Sequence, residues 1–127
     1  MSDKKTIVLL VEDERLLSKA IKRKLEKGGF EVLEAFDGGE GLAAALEKHP
    51  NLVLLDIVLP VMDGVTLLDR LREDEWGKNV PVIILSNLSD ASTIEESKDK
   101  GVNSYLVKTD WKLDEVVAKV RETLKNS

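Results

Sequence analysis

Ile7-Val8-Leu9-Leu10-Val11-Glu12-Asp13-Glu14 joins five consecutive apolar residues to three acids. A run this short, rich in leucine and β-branched residues and without polar alternation, reads as a strand buried on both faces, as in a parallel sheet. A second stretch repeats the pattern, Leu52-Val53-Leu54-Leu55 ending in Asp56. Acids directly after such strands fall at the carboxyl edge of the sheet, where open α/β folds bind their ligands. Glu12, Asp13 and Asp56 are therefore expected to converge on one pocket. Three like charges so close repel one another and call for a cation, a proton or a reaction.

Outward from these strands the punctuation alternates regularly. Leu16, Leu17, Ala20, Ile21 and Leu25 recur at helical spacing, and Gly28-Gly29 supplies the stop. Phe30 to Ala35 reads as an outer strand. Asp37, with Glu40 three residues on, starts a capped helix that ends at His49-Pro50. Beyond Asp56, Pro60-Val61-Met62-Asp63-Gly64 is a turn, and a helix bearing Leu67, Leu68 and Leu71 is expected to reach Gly77. Val80 to Leu85 reads as the fourth strand, with Pro81 at its start, where a missing N–H is tolerated. A polar helix over about Ala91 to Lys100 closes at Gly101, a short strand covers Ser104 to Val107, and Leu113, Val116, Val117, Val120 and Leu124 share one face of a last helix. Five strands alternating with five helices predict an α/β fold, a doubly wound parallel sheet. Between Ala91 and Lys100 only Ala91 and Ile94 are apolar, so that helix is expected to be the least stable and the one available for switching.

At 127 residues the chain is read as one domain, residues 1–127, without repeat or linker. Hydrophobic residues at 43% and charged residues at 34% belong to a globular protein rather than a disordered one. A net charge of −5, with no lysine or arginine cluster, leaves no footprint for direct nucleic-acid binding. The absence of cysteine excludes disulfides and thiolate metal sites. The first apolar stretch is too short for a signal peptide or membrane span, so no membrane association and a cytoplasmic location are expected.

The polar residues that end strands form a constellation: Glu12 and Asp13 after the first, Asp56 after the third, Ser86 after the fourth and Lys108 after the fifth. Oxygen donors without histidine or cysteine suit Mg²⁺ better than zinc or copper. A carboxylate beside such a cation can attack phosphorus, and a hydroxyl and an ammonium can hold phosphoryl oxygens. Asp13 also reads as a helix cap, and Asp56 taken alone as a turn residue. Neither alternative accounts for Glu12, Asp56 and Lys108 at one edge. Asp63-Gly64 and Pro60 read as loop-shaping, His49 as a solvated surface residue, and Trp76 and Trp111 as partly packed helix-end aromatics.

In this order, on this alternation, the residues resemble the receiver domain of two-component response regulators over essentially the full length. The match rests on Glu12-Asp13, Asp56, Leu59-Pro60-Val61-Met62-Asp63-Gly64, Ser86, and Tyr105 three residues before Lys108. The resemblance implies a flavodoxin-like sheet of order 2-1-3-4-5 flanked by five helices, in a stand-alone regulator of the chemotaxis or relay type. It implies that Asp56 accepts a phosphoryl group from a phosphohistidine on a histidine kinase or phosphotransfer protein. Asp13, Asp56 and the Val58 backbone carbonyl would ligate Mg²⁺ directly and Glu12 through water. Ser86 and Lys108 would bind the phosphoryl oxygens. Ser86 and Tyr105 would act as the switch that remodels the surface of the fourth helix, fifth strand and fifth helix for a downstream target protein. The chain would then be a signalling protein that promotes its own phosphorylation and dephosphorylation, not an enzyme acting on a separate substrate.

Two positions depart from the family pattern. Members usually carry proline after the lysine, often with a cis bond, whereas Thr109 follows Lys108 here. A cis bond before a non-proline residue costs about 2.5–4 kcal/mol, so a trans bond is expected. Asn87 is larger than the residue usual after the hydroxyl position and is expected to alter access to the site and dephosphorylation. Two other functions compete: a degenerate receiver that binds partners without phosphorylation, and a Mg²⁺-dependent phosphatase with an aspartyl nucleophile. Retention of Asp13, Asp56, Ser86 and Lys108 argues against the first. Ile57-Val58-Leu59 after Asp56, with no second acid/base carboxylate, argues against the second.

Overall fold

Five parallel strands, β1 (Ile7–Val11), β2 (Glu31–Ala35), β3 (Leu52–Asp56), β4 (Val82–Ser86) and β5 (Ser104–Val107), pair in the order β2-β1-β3-β4-β5. The computed structural model describes residues 5–86, 92, 95, 97–108 and 112–126. Its α-helices are α1 (Arg15–Lys27), α2 (Gly38–Lys48), α3 (Gly64–Glu73) and the C-terminal α4 (Leu113–Lys125).

Strand side chains alternate between faces, and the core divides accordingly. Val8, Leu10, Leu52, Leu54, Ile83 and Leu85 face Ile21 and Leu25 of α1 and Val116, Val117 and Val120 of α4. Leu9, Val11, Val53, Leu55, Val82 and Ile84 face Ala45 of α2 and Leu67, Leu68 and Leu71 of α3. Continuous apolar runs in β1, β3 and β4 are what a sheet covered on both sides requires.

Several local expectations hold for identifiable reasons. Asp37 Oδ1 accepts the Glu40 N–H at 2.8 Å, and Glu40 Oε1 accepts the Phe36 N–H at 3.1 Å, fastening the start of α2. Asp63 caps α3 by accepting the Thr66 N–H at 2.9 Å.

Others are corrected. Helix α3 ends at Glu73, not Gly77, because Asp74 Oδ2 takes the N–H groups of Trp76 (3.0 Å) and Gly77 (2.8 Å) into a turn. Strand β4 begins at Val82 rather than Val80. Asp56 and Ser86 are the last residues of their strands, in register with Leu85 and Val107, rather than the residues after them. Asp13 does not cap α1: its N-cap is Glu14, without a side-chain cap, and Glu12 Oε2 accepts the Glu14 N–H at 3.0 Å.

Of the helix expected over Ala91 to Lys100, Ser92, Glu95 and Ser97 are helical, and Lys98–Lys100 forms a 3₁₀ turn closed by Gly101 at φ 75°. Ala91 and Ile94 lie outside the described residues. Four α-helices are described in full, and the fifth expected one is represented among the described residues by the helical Ser92, Glu95 and Ser97.

Two glycines set how closely the loops approach. A Cβ on Gly38 would lie 1.7 Å from the Met62 carbonyl oxygen, so α2 starts in direct backbone contact with the loop after β3. A Cβ on Gly64 would meet the Asp56 carbonyl oxygen at 2.6 Å and Ile57 Cα at 2.7 Å. The N-terminus of α3 is thereby seated against the backbone that carries Asp56.

Candidate functional site

Strand order reverses at β1, which lies between β2 and β3, and the crevice outside the carboxyl ends of β1 and β3 is the binding position of such sheets. Glu12 follows β1 and Asp56 ends β3. Carboxylate oxygens of Glu12, Asp13 and Asp56 all lie within 4.8 Å of one another, as the sequence predicts. Glu12 is fully buried and Asp56 nearly so, while Asp13 is exposed and open to solvent.

Lys108, at the end of β5, reaches across to this cluster. Its Nζ stands 2.8 Å from Asp56 Oδ2 and 2.7 Å from Glu12 Oε1. The Glu12 contact is an ion pair without hydrogen-bond alignment. The Lys108 N–H donates to the Ser86 carbonyl at 2.6 Å, which holds β5 to β4 at this edge. Asp56 Oδ1 accepts the Val58 N–H at 3.1 Å, so both its oxygens have partners and its rotamer is fixed.

The electrostatics follow from burial and charge. Burial is the largest influence on Glu12 and, with the Asp56 charge, raises its carboxyl from 4.5 to about 7 despite Lys108 and the Glu14 N–H. Burial pulls Lys108 down, but its hydrogen bond to Asp56 and its charge contacts with Asp56 and Glu12 outweigh that, and the ammonium titrates above its ordinary value. Ser86 Oγ is fully buried and has no hydrogen-bond partner among the described residues. Such an orphaned hydroxyl is costly unless something completes it.

A hard divalent cation fits this donor set. Three converging carboxylates, one exposed to solvent and none competing with sulfur or imidazole, match the preference of Mg²⁺ for oxygen ligands and retained water.

The comparisons with known proteins agree with the geometry. Residues 8–121 match the response regulator receiver domain. The chain belongs to that family. It is 34% identical over 120 residues to the DNA-binding dual master transcriptional regulator RpaA of Synechocystis, covering 94% of this chain and 49% of that one. It is 38% identical over 118 residues to the transcriptional regulatory protein PrrA of Mycobacterium tuberculosis, covering 93% of this chain and 49% of that one. The receiver domain therefore spans about half the length of these curated relatives. Among solved structures, a CheY-like receiver domain protein of Methanospirillum hungatei superposes with a TM-score of 0.89 at 28% identity, covering 97% of this chain and 96% of that one. The receiver domain of Francisella response regulator 1452 gives 0.85 at 32% identity, covering 95% and 98%. No described helix of this receiver domain is long and apolar enough to cross a membrane.

Tyr105 is half-buried in β5, opposite Ile84, and its phenol lies 3.1 Å from Ser97 Oγ. Asn87, Thr109 with the Lys108–Thr109 bond, and Trp111 lie outside the described residues. His49 is exposed as expected, but its ring stacks on Trp76 (centroids 4.4 Å apart, planes within 9°) at the amino edge of the sheet.

Sequence reasoning missed three arrangements. Arg72 donates to four backbone carbonyls, those of Gly77, Val80, Lys100 and Gly101, at 2.7–2.9 Å. Arg15 lies over the Phe36 ring at 4.0 Å beside the acidic edge. Ser97 contacts Tyr105. Each joins residues of different elements, and no local spacing marks it.

Proposed function

We propose that this receiver domain is a phosphoacceptor switch, residues 1–127 acting as one unit, in which Asp56 takes a phosphoryl group from a phosphohistidine on a histidine kinase or phosphotransfer protein. The observation that carries the reading is the Asp56 carboxylate held between Lys108 and two further carboxylates, beside an unpartnered Ser86 hydroxyl. A carboxylate so placed has a nucleophilic oxygen beside an ammonium, with a buried hydroxyl at the end of the neighbouring strand.

In the transfer, an Asp56 oxygen forms the new bond to phosphorus as the bond from phosphorus to the histidine nitrogen breaks, and the imidazole leaves with the bonding pair. Asp13, Asp56 and the Val58 carbonyl, with Glu12 through water, would hold Mg²⁺, which would neutralise charge on the incoming phosphoryl oxygens. The Val58 N–H keeps the nucleophile oriented. Lys108 transfers its contact from the Asp56 carboxylate to a phosphoryl oxygen, and Ser86 Oγ donates to another. The movement of these two groups, with Tyr105, remodels the surface formed by residues 91–100, β5 and the C-terminal helix for a downstream target. Asn87, next to Ser86 in the chain, governs access and hydrolysis.

Incubation with Mg²⁺ and acetyl phosphate, read by intact mass, tests this. One phosphoryl adduct on the wild-type chain and none on Asp56→Asn is the expected result. A folded chain that acquires no adduct would overturn the reading in favour of a phosphorylation-independent binding module.

A further inference from the structure

We propose that Ser97 is a positioning residue for this switch, its buried hydroxyl holding the Tyr105 phenol in the conformation of the unmodified protein. The inference rests on the phosphoacceptor reading above and adds the device that sets its resting bias.

Ser97 is fully buried, and its Oγ lies 3.1 Å from the Tyr105 hydroxyl across eight residues of chain. Both ends of that span are fastened. Just beyond Ser97, the Lys98–Lys100 turn is tied to α3: Arg72 Nε donates to the Lys100 carbonyl at 2.8 Å, Arg72 Nη2 to the Gly101 carbonyl at 2.9 Å, and Lys100 Nζ meets Asp69 Oδ1 at 2.5 Å. Just before Tyr105, Asn103 exchanges two hydrogen bonds with the Val82 backbone, at 2.9 and 3.0 Å.

The contact between Ser97 and Tyr105 therefore does not hold the loop together, because other bonds do that. It reports instead whether the ring lies toward the 3₁₀ turn. Tyr105 is also three residues from Lys108, whose ammonium rests on Asp56 and whose N–H is bonded to Ser86. A displacement of Lys108 and Ser86 on phosphorylation acts on the same β4–β5 pair that carries the ring.

If the ring turns away, one hydroxyl–hydroxyl bond is lost. Such a bond favours the unmodified conformation about two- to tenfold. A ligand that selects the switched conformation must overcome that factor, so removing the bond strengthens its apparent binding by the same amount.

The chain has a single tyrosine, so 3-fluorotyrosine labelling gives one ¹⁹F resonance, read here beside titrations with beryllium fluoride and Mg²⁺ as the phosphoryl mimic. Ser97→Ala is expected to move the unliganded resonance toward its mimic-bound position and to tighten mimic binding two- to tenfold. Tyr105→Phe should tighten binding equally, and the double variant no further than either single one. Unchanged affinity and resonance in Ser97→Ala, or additive effects in the double variant, would overturn the proposal while leaving the phosphoacceptor reading intact. A wild-type chain that binds no mimic and takes up no phosphoryl group overturns both.

Discussion

Replacing Lys108 with methionine keeps most of the side chain's length and removes its charge, leaving Glu12, Asp13 and Asp56 without their counter-ion. At 2.8 Å and an effective dielectric constant of about 20, each ammonium–carboxylate contact is worth about 6 kcal/mol gross. Desolvation of the ammonium, only 12% exposed, offsets much of that, so the net loss on breaking the cluster is about 3 kcal/mol. The loss depends on pH because Glu12 can escape by protonation. Its folded value of about 7 lies above the ordinary 4.5, so the folded state holds an extra proton between those limits and metal-free stability falls as pH rises through that window. Without Lys108 the Glu12 value moves higher still. Below pH 7 both proteins carry the proton and differ mainly by the Asp56 contact, about 2 kcal/mol. Above pH 7 the variant goes on losing up to about 1.4 kcal/mol per unit while the wild type levels off. Urea unfolding in EDTA at pH 6, 7 and 8 measures this directly, with Mg²⁺ expected to narrow the gap at each pH. A destabilisation independent of pH, or largest at pH 6, would refute the assignment of Lys108 as the counter-ion of a part-protonated cluster.

Further consequences concern the scaffold around the site. Arg72→Ala should cost about 3 kcal/mol in urea unfolding, because four carbonyl oxygens lose a charged donor. Arg72→Lys should recover less than half, since one ammonium cannot span the positions that the planar fork reaches. Adjacent glycines should behave oppositely: Gly38→Ala, placing a Cβ 1.7 Å from a carbonyl oxygen, should cost about 3 kcal/mol or more. Gly39→Ala, whose nearest neighbours lie 3.3 Å away and are side-chain atoms, should stay within about 1 kcal/mol of wild type by the same measurement.

The strands β1, β3 and β4 were legible because burial on both faces writes itself as an unbroken apolar run, and acids that end such a run can lie only at one edge. Glu12, Asp56, Ser86 and Lys108 could therefore be placed together before any coordinates. Helix ends were less legible. Asp74 stops α3 early by using its own side chain, a competition that the leucine spacing of Leu67, Leu68 and Leu71 does not record. Glu12 was read as one acid of three, but its complete burial, and so its raised carboxyl, depends on neighbours from several strands. Arg72 and Ser97 left no mark at all, because one polar residue in a helical stretch reads as solvated until its distant partners are known.

The division of the core into two clusters has a geographical consequence. Tyr105 packs with the α2–α3 side of the sheet, whereas its neighbour Leu106 packs with the side covered by α1 and α4. A wall of buried strand residues separates the two compartments everywhere except at the rim. Strand β5 is one of the two rims, so in the switch proposed above a turned Tyr105 ring would act on α4 around that outermost strand and not through the middle of the sheet. Any molecule that reads both must straddle the border, touching two compartments that share almost no side-chain packing of their own.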